Sequence, residues 1–316
     1  MSPCQEFFFA TKYPYGMKYP FIKEEGQFRG MRITILSENY TPFSLKLRGE
    51  HGFSVLIEKD DMQLLYDTGR FGICVDNAQA LGRDLTRTKK ILLSHGHIDH
   101  TGGLERVLIA IGHPVDIVAH PRIFEKKHIT GQQYIGPFGR KDVFIGIPFE
   151  RQYLEKMYKA RFDFREGLYE AADRVWLTGA IPITNDVEKI PASFLVGVND
   201  FFVPDDFADD NSLLLDTEKG FVVVFGCAHR GIVNILTYVK KMFKKNIRAI
   251  IGGTHLHDTS QGQLEYVKSY LKELIHEDGV ELFAPAHCTG IHTIMGLSEE
   301  FKEITKPAFC GTVFEF

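Results

Sequence analysis

The stretch Ser94-His95-Gly96-His97-Ile98-Asp99-His100-Thr101-Gly102-Gly103 places three imidazoles and one carboxylate within six positions. It follows a short apolar run, Ile91-Leu92-Leu93, that is typical of a buried strand. Alternate side chains of an extended backbone point the same way, so His95 and His97 are expected to face one side together. Neutral imidazole and carboxylate suit zinc, and also manganese or iron(II). The stretch therefore predicts a metal site at the end of a strand.

The spacing His-x-His-x-Asp-His resembles the signature of the metallo-β-lactamase superfamily. Two pairs of ligands this close, offset in direction, could serve two metals a few ångströms apart. We therefore expect two divalent metal ions, with zinc as the first choice and manganese or iron as alternatives. The alternative, a chance run of polar residues on a loop, is weak for four ordered ligand-type residues. The motif indicates fold and metal better than it indicates substrate.

Composition restricts the class of protein. The 316 residues, 44% of them hydrophobic, suffice for a substantial core in one large domain or two modest ones. Lysine and arginine number 37 against 41 acidic residues, so no basic field favours nucleic acid or a membrane surface. The balance weighs mildly against a nuclease.

Cysteine usage and apolar runs bear on location. The five cysteines form an odd set without a Cys-x-x-Cys pair, which favours a reducing cytoplasm over a disulfide framework. No apolar run approaches the roughly eighteen residues that a bilayer span needs, and the N-terminus lacks a signal-peptide core. The expected location is therefore cytoplasmic.

Residues 1–30 differ from the remainder because they are rich in aromatic residues without a clear period. Met31-Arg32-Ile33-Thr34-Ile35-Leu36 alternates as a half-buried strand should. We predict one compact domain over residues 31–316, preceded by an N-terminal extension at 1–30. The extension is either an arm that packs on a partner subunit of a homo-oligomer or the product of an upstream start codon.

Residues 121–200 contain no ligand-like cluster. They include Lys126, Lys127, a glycine-rich aromatic stretch at 133–139 and a charged helix near 149–160. We interpret them as an insertion at about 121–200 that covers the active site and selects substrate. A plain surface excursion is an equally open interpretation.

Asp67 ends a predicted hairpin over residues 51–67. In the superfamily pattern an aspartate at this place supports the metal loop from behind, as an acceptor for an imidazole N–H or a loop amide. The alternative is a plain turn aspartate. A helix is predicted next, from Asp76 as N-cap to Leu85.

A second strand–ligand–helix unit lies in the other half of the chain. Strand 220–225 ends in Gly226-Cys227-Ala228-His229-Arg230-Gly231 and is followed by a helical segment, 232–243. The superfamily pattern has an aspartate that bridges both metals after this glycine, whereas this chain has Cys227. His229 is the predicted ligand, and Cys227 is the weaker candidate because a cysteine between apolar neighbours is more often simply buried.

His255 and His287 follow two further predicted strands, at the edge where such sheets bind ligands. His287 is predicted to complete the second metal site, and His255 is either a ligand or a hydrogen-bond donor to substrate. Each could instead be a structural histidine. His120 stands at a strand end before proline, so we expect a structural or pocket-lining residue there.

Phrases from residue 31 to the end resemble one branch of the superfamily. Besides the metal loop and Gly226–Gly231, they are Glu50-His51-Gly52-Phe53-Ser54, Gly252-Gly253-Thr254-His255-Leu256 and His287-Cys288-Thr289-Gly290. The branch is dihydropteroate-synthase-like, named for an archaeal enzyme that joins a dihydropterin to ribofuranosylaminobenzene phosphate in methanopterin synthesis. The implied fold is an α/β, four-layer αββα sandwich of two mixed sheets with helices outside, which agrees with the alternation of elements.

The resemblance also implies roles for the site residues. Metal one would be held by His95, His97 and His229, and metal two by Asp99, His100 and His287. Asp99 and His255 would act in catalysis and Thr289 in binding substrate. The chain departs from the superfamily pattern in lacking Gly-His-Thr-Pro-Gly, where it has Ala208-Asp209-Asp210-Asn211-Ser212.

The implied function is that of a metal-dependent hydrolase or pterin-joining transferase acting on a phosphorylated or pterin-like small molecule. The metals would activate water or bind a diphosphate leaving group. One alternative is a phosphodiesterase- or lactamase-type hydrolase without a pterin role. A diiron flavoprotein would need a flavodoxin domain for which no residues remain. A non-catalytic metal-binding protein would have a closed site of four protein ligands.

Overall fold

The computed structural model describes residues 30–43, 46–131, 142–198 and 201–316. The proposed N-terminal extension, apart from Gly30, and the stretch at 133–139 lie outside these residues. Among the described helices, none combines the length and the apolar character that crossing a membrane requires.

The first sheet is built mainly from the first half of the chain and has seven strands. In chain order they are β1 (Met31–Ser37), β2 (Ser54–Lys59), β3 (Met62–Tyr66), β4 (Lys90–Leu92), β5 (Asp116–Ala119), β8 (Arg161–Phe164) and β17 (Val313–Glu315). Their order in space is β17-β1-β2-β3-β4-β5-β8. The run β3, β4, β5 and β8 is parallel, whereas β17, β1, β2 and β3 pair antiparallel. The sheet is therefore mixed.

The second sheet is built from the second half and has six strands. They are β9 (Tyr169–Ala172), β10 (Val175–Leu177), β13 (Ser212–Thr217), β14 (Gly220–Phe225), β15 (Ile247–Gly253) and β16 (Leu282–Ala286). Their order is β16-β15-β14-β13-β10-β9, with β14, β15 and β16 parallel. As in the first sheet, the parallel part carries the ligand-type residues at its strand ends.

Within the described residues, a third sheet of four antiparallel strands lies outside these two. It consists of β6 (Lys127–Thr130), β7 (Asp142–Phe144), β11 (Phe194–Val198) and β12 (Phe201–Pro204), in the order β12-β11-β6-β7. Residues 121–200 thus contribute strands to all three sheets, and only part of them forms the extra layer.

Seven α-helices occur among the described residues: α1 (Ile73–Ala80), α2 (Ile98–Thr101), α3 (Leu104–Ile111), α4 (Arg151–Tyr158), α5 (Ile232–Phe243), α6 (Gln261–Asp278) and α7 (Ile291–Glu300). The predicted start of the first helix at Asp76 is wrong. Gly72, with φ +68°, is the N-cap, because its left-handed backbone turns the chain into the helix against Gly103. Asp76 lies within the helix and forms an ion pair with Arg106.

The buried apolar side chains of the described residues fall into four clusters, and three of these define the layers. One cluster lies between the two main sheets and includes Ile33, Val55, Val224 and Ile251. A second joins the first sheet to α1, α3 and α4, and a third joins the second sheet to α5, α6 and α7. The order helix, sheet, sheet, helix confirms the predicted αββα sandwich.

Candidate metal centre

The ligand-type side chains lie at the carboxyl ends of five parallel strands. Asp67 follows β3, the metal loop follows β4, Cys227 and His229 follow β14, His255 follows β15 and His287 follows β16. Strand ends of this kind are where layered α/β folds bind ligands. The two facing sheets therefore bring residues from both halves of the chain to one edge.

His95, His97 and His229 form the first group, with one nitrogen from each within 4.8 Å of the others. His95 Nε2 lies 3.2 Å from His229 Nε2. His97 Nε2 is buried and has no hydrogen-bond partner among the described residues. Buried polar atoms without partners are costly, and a cation between the three rings would satisfy the converging nitrogens.

The protonation of this group also suits a metal. Burial lowers the pKa of His97 to about 3, and nearby Lys127 acts in the same direction. Burial, together with neighbouring imidazoles, holds the pKa of His95 and of His229 well below the ordinary value. The three rings are therefore neutral near pH 7, which is the form that binds zinc.

Asp99 is the centre of the second group. Its Oδ2 lies 3.2 Å from His287 Nε2, 3.3 Å from His51 Nε2 and 3.8 Å from His100 Nε2. The structure thus brings together Asp99, His100 and His287, the residues predicted for the second metal. His51 joins them although it was not predicted, and its place in the phrase Glu50–Ser54 was the available signal.

Cys227 lies between the two groups. Its Sγ is 3.1 Å from His100 Nε2, and its ligand atom is within 4.8 Å of those of both His95 and His100. The same Sγ is within 4.8 Å of His287 and Cys288. Cys227 therefore occupies the space between the groups, where the superfamily pattern has the bridging aspartate.

Asp67 supports this arrangement from behind. Its Oδ2 accepts from His100 Nδ1 at 2.6 Å and from Ser94 Oγ at 2.7 Å, and its Oδ1 accepts from Ser94 N at 2.8 Å. Ser94 Oγ in turn lies 2.9 Å from His95 Nδ1. These bonds fix the Nδ1 side of both rings and leave Nε2 for a ligand role, as is usual behind metal-binding histidines.

The charge of His100 depends on the carboxylates of Asp67 and Asp99. Burial lowers its pKa, but Asp67 and Asp99 outweigh burial and raise the pKa to about 9. In the metal-free protein His100 therefore carries a proton near pH 7. Metal binding through Nε2 would have to displace this proton.

Glu38 and Asn39, which follow β1, hold His287 in place. Glu38 Oε1 accepts from His287 N at 2.7 Å, and Asn39 Oδ1 accepts from His287 Nδ1 at 2.9 Å. Burial raises the pKa of Glu38 to about 7. Sequence reasoning missed both residues, although polar side chains directly after a predicted strand were the same signal that identified the ligands.

The stretch that replaces Gly-His-Thr-Pro-Gly also supports the metal loop. Asp209 Oδ2 accepts from Gly96 N at 2.8 Å, between the two histidines of the first group. Lys127 Nζ donates to Asp209 Oδ1 at 2.9 Å and to Asp205 Oδ2 at 2.6 Å. All three side chains are buried, so this lysine of the third sheet stabilises the loop from within the protein.

Two phenylalanines form an apolar wall around the first group. The ring of Phe207 stacks on His229 with centroids 3.9 Å apart, and that of Phe194 stacks on His97 at 5.6 Å. An apolar wall lowers the local dielectric constant and limits access of water to a metal site.

Several site residues adopt the left-handed backbone that non-glycine residues avoid. Asp67, Ala228, His255 and His287 have φ between 50° and 58°. Each such residue costs about 1–3 kcal/mol and persists only where surrounding contacts impose it. The concentration of this strain at the strand ends is typical of a functional site.

His255 is in neither ligand group, but its ring centroid is 4.4 Å from that of His229. It lines a cavity beside the first group, together with Phe194, Thr254 and His257. Burial and the neighbouring histidines lower its pKa to about 4, so the ring is neutral near pH 7. Its position suits contact with a substrate in this cavity.

Two other predicted residues have structural contacts. Thr289 is fully buried, and its hydroxyl bonds Thr254 N at 3.1 Å and Thr254 Oγ1 at 2.9 Å, which ties the ends of β15 and β16 together. His120 Nδ1 accepts from Arg122 N at 3.2 Å and caps a short 3₁₀ helix, as expected of a structural histidine. The role of Thr289 in substrate binding stays a prediction.

Comparison with known proteins relates the chain to the metallo-β-lactamase superfamily. The sequence profile of the metallo-beta-lactamase superfamily matches residues 47–186, which include the metal loop. The chain is 29% identical over 305 residues to 7,8-dihydropterin-6-methyl-4-(beta-D-ribofuranosyl)-aminobenzene-5'-phosphate synthase of Methanocaldococcus jannaschii, covering 92% of this chain and 98% of that protein. The chain is also 31% identical to the uncharacterized protein MJ0448 of the same organism, covering 84% of this chain and 94% of the relative.

A solved structure shows the same relation in three dimensions. The crystal structure of Tm1679, described as a metal-dependent hydrolase of the beta-lactamase superfamily, superposes with a TM-score of 0.74 at 30% identity. The alignment covers 90% of this chain and 99% of that protein. The likeness therefore extends over the sandwich and its strand-end loops.

Proposed function

The chain belongs to the metallo-β-lactamase superfamily, and we propose that it is a metal-dependent synthase that joins a dihydropterin to a ribofuranosylaminobenzene phosphate. The observation that carries this proposal is the match over 92% of the chain with a relative named as that synthase. The two adjacent groups of buried ligand-type residues support it, because a diphosphate leaving group needs concentrated positive charge.

The residues fit divalent metals. His95, His97 and His229 would hold one ion. Asp99, His100 and His287 would hold the other, since Asp99 Oδ2 lies 3.2 Å from His287 Nε2 and 3.8 Å from His100 Nε2. Cys227 lies within reach of both groups. Imidazole, thiolate and carboxylate together are zinc ligands. When bound, the metals would stabilise negative charge on a leaving diphosphate or, in hydrolysis, lower the pKa of water.

The joining reaction forms a bond between the amine nitrogen of the aminobenzene and the methylene carbon of the pterin. The bond from that carbon to the diphosphate oxygen breaks, and the amine loses one proton. We assign acceptance of this proton to His255, which is neutral near pH 7 and lines the cavity beside His229. Asp99 stays ionised, because its neighbouring imidazoles hold its pKa well below the ordinary value despite burial.

Mass spectrometry of a reaction mixture tests the proposal. Metal-loaded protein is incubated with a dihydropterin diphosphate and ribofuranosylaminobenzene phosphate, beside the His97→Ala variant and a His292→Ala control on the exposed face of α7. We expect a coupled product and free diphosphate from the wild type and the control, and neither from His97→Ala. A wild-type sample shown to contain metal that yields no coupled product would exclude the synthase.

Hydrolysis is the second candidate, and it is favoured by the 30% identical relative described as a metal-dependent hydrolase. The same metal-loaded samples are then given a phosphodiester with a chromogenic leaving group. Release of the chromophore by wild type and His292→Ala, but not by His97→Ala, would support a hydrolase if no coupled product forms.

A further inference from the structure

The cavity that His255 lines extends from the first ligand group to the N-terminus of α6. His229 lies at its inner end, and Thr259, Ser260 and Gln263 lie where α6 begins. Lys189 lines the same cavity from the segment before β11. A substrate in this cavity would therefore contact both the ligand groups and the first turn of an 18-residue helix.

The first turn of α6 is arranged to receive an anion. The first N–H groups of a helix have no partner within it, and together with the helix dipole they favour negative charge. Ser260 Oγ accepts only from Gln263 N, at 3.2 Å, among the amides of that turn.

Unpartnered polar atoms in the same cavity point independently to a ligand. His229 is only 7% exposed, and its Nδ1 has no hydrogen-bond partner. Thr259 Oγ1 is likewise buried without a partner. Because buried polar atoms are normally satisfied, both atoms are expected to bond a group that enters the cavity.

The two carboxylates that line the cavity already have other partners. The carboxylate of Glu188 already accepts from Val233 N at 2.9 Å and Asn234 N at 3.0 Å, at the start of α5. Asp258 lies 2.9 Å from His257 Nε2. Lys189 lines the same cavity and would supply a positive charge to a ligand there.

We propose that this cavity is an anion subsite that binds the phosphate monoester of a sugar-phosphate substrate through the first turn of α6, Thr259 and Lys189. The inference rests on the proposed function, in which the aminobenzene substrate carries such a phosphate and the diphosphate of the other substrate lies at the ligand groups. The subsite would place the sugar phosphate at one end of the cavity and the amine near His255.

Calorimetric titration of the metal-loaded protein with ribose 5-phosphate tests the subsite, with ribose as the uncharged control. We expect ribose 5-phosphate to bind and ribose not to bind. Lys189→Met and Thr259→Val should each weaken binding about tenfold, since each removes one hydrogen bond to a charged group. The matched changes Lys241→Met and Thr237→Val, on α5 outside the cavity, should leave the affinity unchanged.

Pyrophosphate separates this subsite from the ligand groups. Its affinity should be the same in all four variants and should fall in His97→Ala, whereas ribose 5-phosphate should still bind His97→Ala. Failure of wild type to bind ribose 5-phosphate, or binding that Lys189→Met and Thr259→Val leave unchanged, would overturn the subsite.

The two proposals fail in different ways. If the coupled product forms while Lys189→Met leaves both ribose 5-phosphate affinity and the KM of the aminobenzene substrate unchanged, the synthase stands and the subsite is wrong. If no coupled product forms but the variants weaken ribose 5-phosphate as expected, the subsite stands and the synthase is wrong. When both are right, Lys189→Met raises that KM with little change in kcat.

Discussion

At the scale of single residues, the carboxylate of Asp67 decides the charge of His100. It accepts a hydrogen bond from His100 Nδ1 at 2.6 Å. Burial lowers the pKa of the His100 ring, but Asp67 and Asp99 together raise it to about 9. The folded pKa lies above the ordinary value of 6.5, so the metal-free ring holds its proton until the pH passes through about 9. A metal on Nε2 must therefore release a proton at neutral pH.

Asp67→Asn should lower the pKa of His100 and so reduce the proton release that accompanies zinc binding. We expect about one proton fewer per chain near pH 7, because the variant ring is already neutral before the metal binds. Calorimetry in buffers of different ionisation enthalpy measures the number directly. Asp76→Asn, which alters an aspartate paired with Arg106 away from the site, is the control. Equal proton release by wild type and Asp67→Asn would contradict this account.

His97→Ala and Asp99→Asn should each reduce turnover by at least about a hundredfold with the fold retained. His97 supplies a neutral nitrogen to the first group, and Asp99 is the one carboxylate at the centre of the second. Product formation at equal protein concentration and far-ultraviolet circular dichroism provide the two measurements. Near-normal turnover in either variant would show that the substituted residue is not needed in the metal centre.

At the scale of elements, the third sheet contributes to the metal loop through Lys127. Lys127→Met would leave Asp205 and Asp209 buried without a counter-charge, a loss of about 3–5 kcal/mol of stability. Urea unfolding of the metal-free protein measures it. Lys59→Met, which breaks an ion pair with an exposed aspartate, should shift the midpoint little. A shift of the same small size for Lys127→Met would show that the buried network does not stabilise the fold.

Asp209→Asn is the milder change to the same network and tests its effect on the metal. The asparagine oxygen can still accept from Gly96 N, but the charge pair with Lys127 is lost. Loss of support behind a ligand loop commonly weakens metal binding about 10–100-fold, so we expect zinc affinity to fall in that range. A competitive chelator titration measures the zinc affinity. An unchanged affinity would show that the network does not support the metal site.

The elements themselves were largely predictable because their periodicity is local. The hairpin of β2 and β3 and that of β13 and β14 occur where alternation and turn residues predicted them. The helix predicted to start at Asp76 begins at Ile73, after Gly72, whose left-handed backbone packs closely against Gly103, 31 positions away along the chain. Local pattern therefore indicates an element more reliably than it indicates its ends.

The site was predictable only as far as ligand-type residues at strand ends identify it. The strand-end rule indicated His95, His229 and His287, which the fold brings to one edge. It did not indicate that Glu38 would bond His287 N, across 249 positions, or that Lys127 would bond Asp209, across 82. Such supports depend on how the sheets face each other, and no local pattern encodes that arrangement.

At the scale of the whole molecule, the candidate metal site lies between two halves of a sandwich. The metal loop follows a strand of the first sheet, whereas His229 and His287 follow strands of the second. An ion held by both halves binds the folded chain and not the unfolded one, so binding adds to stability by mass action. Metal binding at this site would therefore be coupled to the folding of the sandwich.

Removal of metal should accordingly lower the thermal stability of the whole domain. At free zinc about a thousandfold above Kd the stabilisation is about 4 kcal/mol, which corresponds to a shift in Tm of the order of 5–10 °C for a domain of this size.

His97→Ala, beside the first sheet, and His287→Ala, beside the second, should each lose part of the shift. Exposed His292 on α7 is the control, since His292→Ala should retain the full shift. Differential scanning calorimetry with and without chelator, on samples of measured metal content, measures the shift in Tm. A metal-dependent shift that persists unchanged in His287→Ala would show that the second group does not hold the stabilising ion, whereas the first group would still span both sheets through His95, His97 and His229.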